Sequence, residues 1–140
     1  MKIFFSFILL IGLIFGKTQI AYSSSQIVLN DSQGVVIEHL RLQVPKEYRQ
    51  AWLSAEKKSW EPWLKTQSGF LGRKLFWDQR NEEATLMIKW STRENWKNIP
   101  QEEINLVQDQ FEKIARAEIG KENEVINPFP LIFEGELLPQ

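Results

Sequence analysis

The 140-residue chain has a single histidine, His39, with an arginine two residues later, Arg41. On an extended segment, residues two apart share a face, so imidazole and guanidinium would stand side by side. An imidazole titrates near neutrality and can accept a proton. A guanidinium can hold an anionic or enolate oxygen. Equally, His39 could be satisfied by a strand neighbour and Arg41 could lie at a sheet rim. Glu56 is the third candidate, because it falls inside an aromatic stripe formed by Tyr48, Trp52, Trp60 and Trp63. At 100° per residue it lies about 40° from Trp52 around a helix, and Trp60 about 80°. A carboxylate buried among indoles is costly when unpaired, and its pKa rises, which suits a general base. Swinging to the rim, or pairing with Arg41 or Lys57, would leave it inert. Trp90, with Trp52 and Trp63 from the helix, could wall a flat aromatic ligand by stacking, although helically spaced aromatics also make ordinary core. The candidates are therefore His39, Arg41 and Glu56 for catalysis and Trp90, Trp52 and Trp63 for ligand binding.

Composition removes several chemistries. The chain has no Cys, which excludes disulfides, thiolate metal sites, Cys nucleophiles and lipid attachment at a Cys. One His excludes a His-rich metal site, so no metal is expected. The net charge of −1 lacks the basic footprint of a nucleic-acid binder. "GFLG" is too short for a phosphate loop and enters a strand rather than a helix. Glu82-Glu83 and Glu102-Glu103 read as a turn and a helix start, where carboxylates suit solvent or the helix dipole.

Stepping along the chain, Met1-Lys2 precedes fourteen uncharged residues, Ile3 to Gly16, and then small residues at Ala21 and Ser23. That order matches a secretory signal cut after Ser23. Fourteen residues span about 21 Å as a helix, short of a ~30 Å hydrocarbon core, although an uncleaved anchor stays open. The expectation is a signal at 1–23, a flexible polar leader at 24–33 and one domain at 34–140. The protein would be exported, periplasmic or secreted, with no membrane contact after cleavage. Gly34 to Val44 reads as a strand with Val36, Glu38, Leu40, Leu42 and Val44 facing a core, and His39 and Arg41 on the other side. Lys46 to Gln67 reads as helical, with a kink or a second short helix expected from Pro62. Phe70 to Gln79 and Ala84 to Trp90 form a hairpin around "DQRNEE". "STRE" from Ser91 is a capping box that starts a short helix, and a longer one runs from Gln101 to Glu118. Alternating Phe129, Leu131 and Phe133 suggest a last strand. The order strand, helix, two strands, helix, strand is the ferredoxin-like split βαβ arrangement. This is an α+β fold: a four-stranded antiparallel sheet with helices on one face. A second copy is the usual cover for the other.

These residues resemble the antibiotic-biosynthesis monooxygenase superfamily of dimeric α/β-barrel proteins. The likeness runs from about Val35 to Ala117, through "VVIEHLRLQV" before Pro45, "SGFLGRKLFWD" and "ATLMIKWSTRENW". It is nearest to an exported-looking cyanobacterial branch. The resemblance implies a homodimeric barrel with a pocket for a small aromatic molecule, and cofactor-free oxidation of an electron-rich aromatic by O2. The haem-degrading branch carries an Asn where this chain has His39 and a Trp matching Trp90. It also needs a His on the second helix, and "INLVQDQFEKIA" has none. Haem or tetrapyrrole binding through His39 and Trp90 is one alternative; a non-catalytic dimeric binding module is the other.

Overall fold

A computed structural model describes residues 34–140; the expected signal and leader lie outside the described residues. Strand β1 (Val36–Gln43) leads through a single 3-10 turn into α1 (Arg49–Lys58) and α2 (Trp60–Leu64). The hairpin β2 (Phe70–Asp78) and β3 (Glu83–Trp90) follows, then α3 (Arg93–Lys97), α4 (Gln101–Glu118) and β4 (Leu131–Leu137). The sheet order is β2-β3-β1-β4, and every neighbouring pair is antiparallel. This is the expected split βαβ topology.

The period-2 pattern of β1 and β3 sets the inner face. Val36, Leu42, Ala84, Leu86, Ile88 and Trp90 are buried, and cross-strand partners such as Leu40 and Leu86 share that face. Two apolar clusters result. One joins Leu42, Val44, Ala84 and Leu86 to Trp52, Ala55, Phe111, Ala115 and Phe129. The other joins Val36, Ile88 and Trp90 to Leu64 and Trp96. Both α1 and α4 therefore pack on the same side. On the opposite face the described chain leaves Phe76, Phe133 and Leu137 between 39% and 50% exposed.

Four local features depart from expectation. The first helix breaks at Ser59 (φ −122°, ψ −79°), three residues ahead of Pro62. Pro62 thus falls in the first turn of α2, where its missing N–H has no intrahelical acceptor to lose. Thr92 rather than Ser91 caps α3, its Oγ1 accepting from the Asn95 amide at 3.1 Å. The last strand begins only at Leu131, and Phe129 dives into the core against Phe111, ring centroids 6.2 Å apart. Finally, β2 and β4 each carry a bulge. Phe70 pairs with Trp90 but Gly72 with Lys89, leaving Leu71 as an extra residue. Leu131 pairs with Leu42 but Phe133 with Arg41, leaving Ile132 extra.

Candidate functional site

Between the inner sheet face and the helices lies a cavity of about 450 Å³. Its floor is Glu38, Leu40 and Leu42 from β1, Leu86, Ile88 and Trp90 from β3, and Arg73 from β2. Its walls include Glu56, Trp60 and Trp63 from the first helical pair, Trp96, and Phe111 of α4. Trp60 and Trp63 meet edge to face at 5.5 Å, and Phe70 braces Trp90 at 5.9 Å. Four indoles thus surround one space, the geometry that suits a flat apolar guest.

Eight of the lining residues are polar or charged, Arg73 and Glu56 among them. Arg73 Nη1 donates to Glu56 Oε2 at 2.5 Å, and Nη2 donates to the Glu56 carbonyl at 3.4 Å. The pair is buried, with side-chain exposures of 7% for Arg73 and 1% for Glu56. Glu61 adds a second carboxylate at 3.6 Å from Arg73. Burial pushes the Glu56 carboxyl above its ordinary range. Arg73 opposes that rise, and so does the nearby Trp52 indole N–H, which itself makes no hydrogen bond of normal geometry. Two of the five guanidinium N–H groups are spent on Glu56 and Nη2 also faces Glu61, while Arg73 itself lines the cavity.

The bulge in β2 is what brings Arg73 here. Strict alternation from Phe70 would place Arg73 on the opposite face from it. The extra residue returns Arg73 to the inner face, opposite Ile88. Gly72 supplies the backbone the bulge requires, at φ +137°, a region essentially closed to side chains.

The second polar feature is Glu38. Its Oε2 accepts from Trp90 Nε1 at 3.1 Å. Burial raises its pKa, with Glu134 adding to the rise; the Trp90 N–H, Lys97 and the Trp96 indole work against it. Lys97 Nζ itself rests 3.5 Å above the Trp96 ring.

The expected site residues divide between two faces. Glu56, Trp63 and Trp90 meet in the cavity. His39 and Arg41 do not join them: they stand on the outer face, paired across the sheet with Gly135 and Phe133. There the His39 ring lies 5.0 Å from that of Phe133. Arg41 bonds Glu83 at 3.2 Å and covers the same Phe133 ring at 5.0 Å. The sheet itself separates them from Glu56. The strand residue that meets Trp90 is Glu38, one position before His39; a one-residue step moves a side chain to the other face. Trp52 is a core residue, packed with Val44, Ala55 and Phe111, and does not line the cavity. Arg73 and Glu38 are the groups that residue type and spacing overlooked. Glu38 had a signal, a carboxylate amid an otherwise apolar strand face. Arg73 had none short of recognising the bulge.

Haem does not fit these residues. Its iron takes imidazole, thiolate, thioether or phenolate. The chain has no Cys, and His39 faces away from the cavity, which is lined by no Met or Tyr.

No family model matches the chain, and no curated protein matches it. Solved structures do. A Bordetella bronchiseptica protein named after the antibiotic biosynthesis monooxygenases superposes with a TM-score of 0.54 at 15% identity, over 77% of this chain and 99% of its own. The fold is that of the antibiotic-biosynthesis monooxygenases. A Mycobacterium tuberculosis protein is similar at a TM-score of 0.48 and 16% identity, over 76% and 96% of the two chains. SnoaB, a cofactor-independent oxygenase from Streptomyces nogalater, is similar at 0.43 and 12%, over 76% and 94%.

Proposed function

We propose that this chain binds a flat hydroxylated aromatic molecule in the indole-walled cavity and oxidises it with O2. The observation that carries the reading is the Glu56–Arg73 pair, buried yet opening onto that cavity. Glu56, its basicity raised by burial, takes the phenolic proton. Arg73 holds the resulting oxyanion through its N–H groups, the role first expected of Arg41. The ring anion then bonds O2 at carbon, and the peroxide is protonated and loses water. One oxygen atom remains on the ring as a carbonyl. The other leaves as water with the phenolic hydrogen and the displaced ring hydrogen, so O2 is the sole oxidant and the arene the sole reductant. The tryptophans exclude bulk water, which would otherwise quench the charge separation.

The outer face supports a homodimer. Phe76, Phe133 and Leu137 are exposed beside His39 and Arg41, and a second sheet laid on them would complete a barrel. The N-terminal sequence supports export, with cleavage after Ser23.

Oxygen uptake with a panel of anthrones and naphthols tests the chemistry. Turnover lost in Glu56→Gln and in Arg73→Met is the expected result. Tight binding of the same arenes without oxygen uptake would leave a binding module instead. Light scattering tests the dimer, and a clean monomer would refute it. Amino-terminal sequencing of the exported protein, expected to begin at Ser24, tests the leader.

A further inference from the structure

The cavity floor has a polar station at each end. Glu38 on β1 pairs with Ile88 on β3, and Ile88 pairs with Arg73 on β2. The three residues therefore form one row across the inner face, with an apolar side chain between an acid and a base. Adjacent strands lie about 4.8 Å apart, so the two outer Cα atoms are separated by roughly 10 Å, the scale of a small fused-ring system.

The two stations differ in kind. Arg73 presents N–H donors and suits an oxyanion. Glu38 presents an acceptor. Its Oε2 is engaged by Trp90, which fixes the carboxyl, and a carboxylate's two oxygens offer about four acceptor sites, so it can take a further donor. The Trp96 indole and Lys97 lie nearby, and Glu134 adds negative charge at this end of the cavity. A hydroxyl or amine N–H is the group Glu38 can take.

Building on the proposed arene site, we infer that Glu38 is its specificity-determining residue. It selects molecules with a hydrogen-bond donor at the end opposite the ionised oxygen. The ligand class is thus narrowed to flat arenes with two polar ends: an acidic hydroxyl held at Arg73, and a second hydroxyl or amine donating to Glu38. A hydrogen bond to a charged group typically changes affinity roughly ten- to a hundredfold.

Calorimetric titration of the chain with 2,6-dihydroxynaphthalene and with 6-methoxy-2-naphthol tests this. Both have the acidic hydroxyl and the same ring system, but the ether cannot donate at the second end. The expected result is binding of the diol about tenfold or more tighter, and loss of that preference in Glu38→Met. Equal binding of the two by the wild-type chain would overturn the role of Glu38 while leaving the arene site intact. So would a preference that survives Glu38→Met. Binding of neither would overturn both readings. Should Glu38→Met fail to fold, the Trp90 indole N–H resonance of the wild-type chain decides. It should shift with the diol and not with the ether, since it shares the Glu38 carboxyl; equal shifts would count against the inference.

Discussion

Removing Arg73 while keeping Glu56 is the most informative perturbation of this domain. In Arg73→Met the Glu56 carboxylate, 1% exposed, loses its only ion-pair partner among the described residues. Breaking a buried pair from one side costs about 3–5 kcal/mol, because the remaining charge is stranded. For a domain of this size about 4 °C of melting temperature corresponds to 1 kcal/mol, so the midpoint should fall by roughly 12–20 °C at pH 8. The double variant Glu56→Gln/Arg73→Met removes both charges and should recover most of the loss, to within about 1.5 kcal/mol of wild type. The pH dependence follows from the direction of the Glu56 shift. Burial raises its folded pKa above the unfolded value of about 4.3, and loss of Arg73 raises it further. Between those two values the folded form holds more proton than the unfolded form, so stability falls as pH rises. The deficit of Arg73→Met should therefore be greatest at neutral and alkaline pH. It should shrink as pH drops toward about 4.5, by at most about 1.4 kcal/mol per unit for one proton. Thermal melts of the three chains from pH 5 to pH 8 measure this. A deficit independent of pH, or a double variant no better than the single, would show that Glu56 is not stranded by the loss of Arg73.

Gly72→Ala should destabilise the chain by about 1–3 kcal/mol and weaken arene binding, read by melting and calorimetry. Open space surrounds the added methyl, so any loss would come from the backbone alone. Trp52→Phe should lower the melting temperature while changing arene affinity less than twofold, whereas Trp63→Phe should do the reverse; titration of both variants checks the division between core and cavity. Haemin should give the same absorption spectrum with wild type and with His39→Ala, and a Soret band lost only in the variant would contradict the placement of His39.

The parts of the fold that were legible in the sequence are those with uninterrupted periodicity. β1 and β3 run without a bulge between them, so alternation put Val36, Glu38, Leu40 and Leu42 inward and left His39 and Arg41 outward. Residue chemistry alone favours the imidazole of His39, but strand phase puts it on the face away from the cavity. Where one residue is inserted, alternation fails. The extra Leu71 hid Arg73, and the extra Ile132 put Leu131 and Phe133 on opposite faces despite their spacing. A helical projection carried through Ser59 likewise loses phase at the break there, so it does not separate Trp52 in the core from Trp60 and Trp63 at the cavity. Each failure is a local loss of phase that depends on pairing partners far along the chain.

The two apolar clusters meet at the cavity, with Leu42, Leu86 and Phe111 on one bank and Ile88, Trp90 and Trp96 on the other. The interior is thus divided, and a guest molecule would touch both halves at once. Such a guest behaves thermodynamically as missing hydrophobic filling, since whatever binds only the folded chain stabilises it by RT ln(1 + [L]/Kd). At a hundredfold excess over Kd that is about 2.7 kcal/mol, large enough for melting curves alone to pick a physiological ligand out of a metabolite library before any reaction is known.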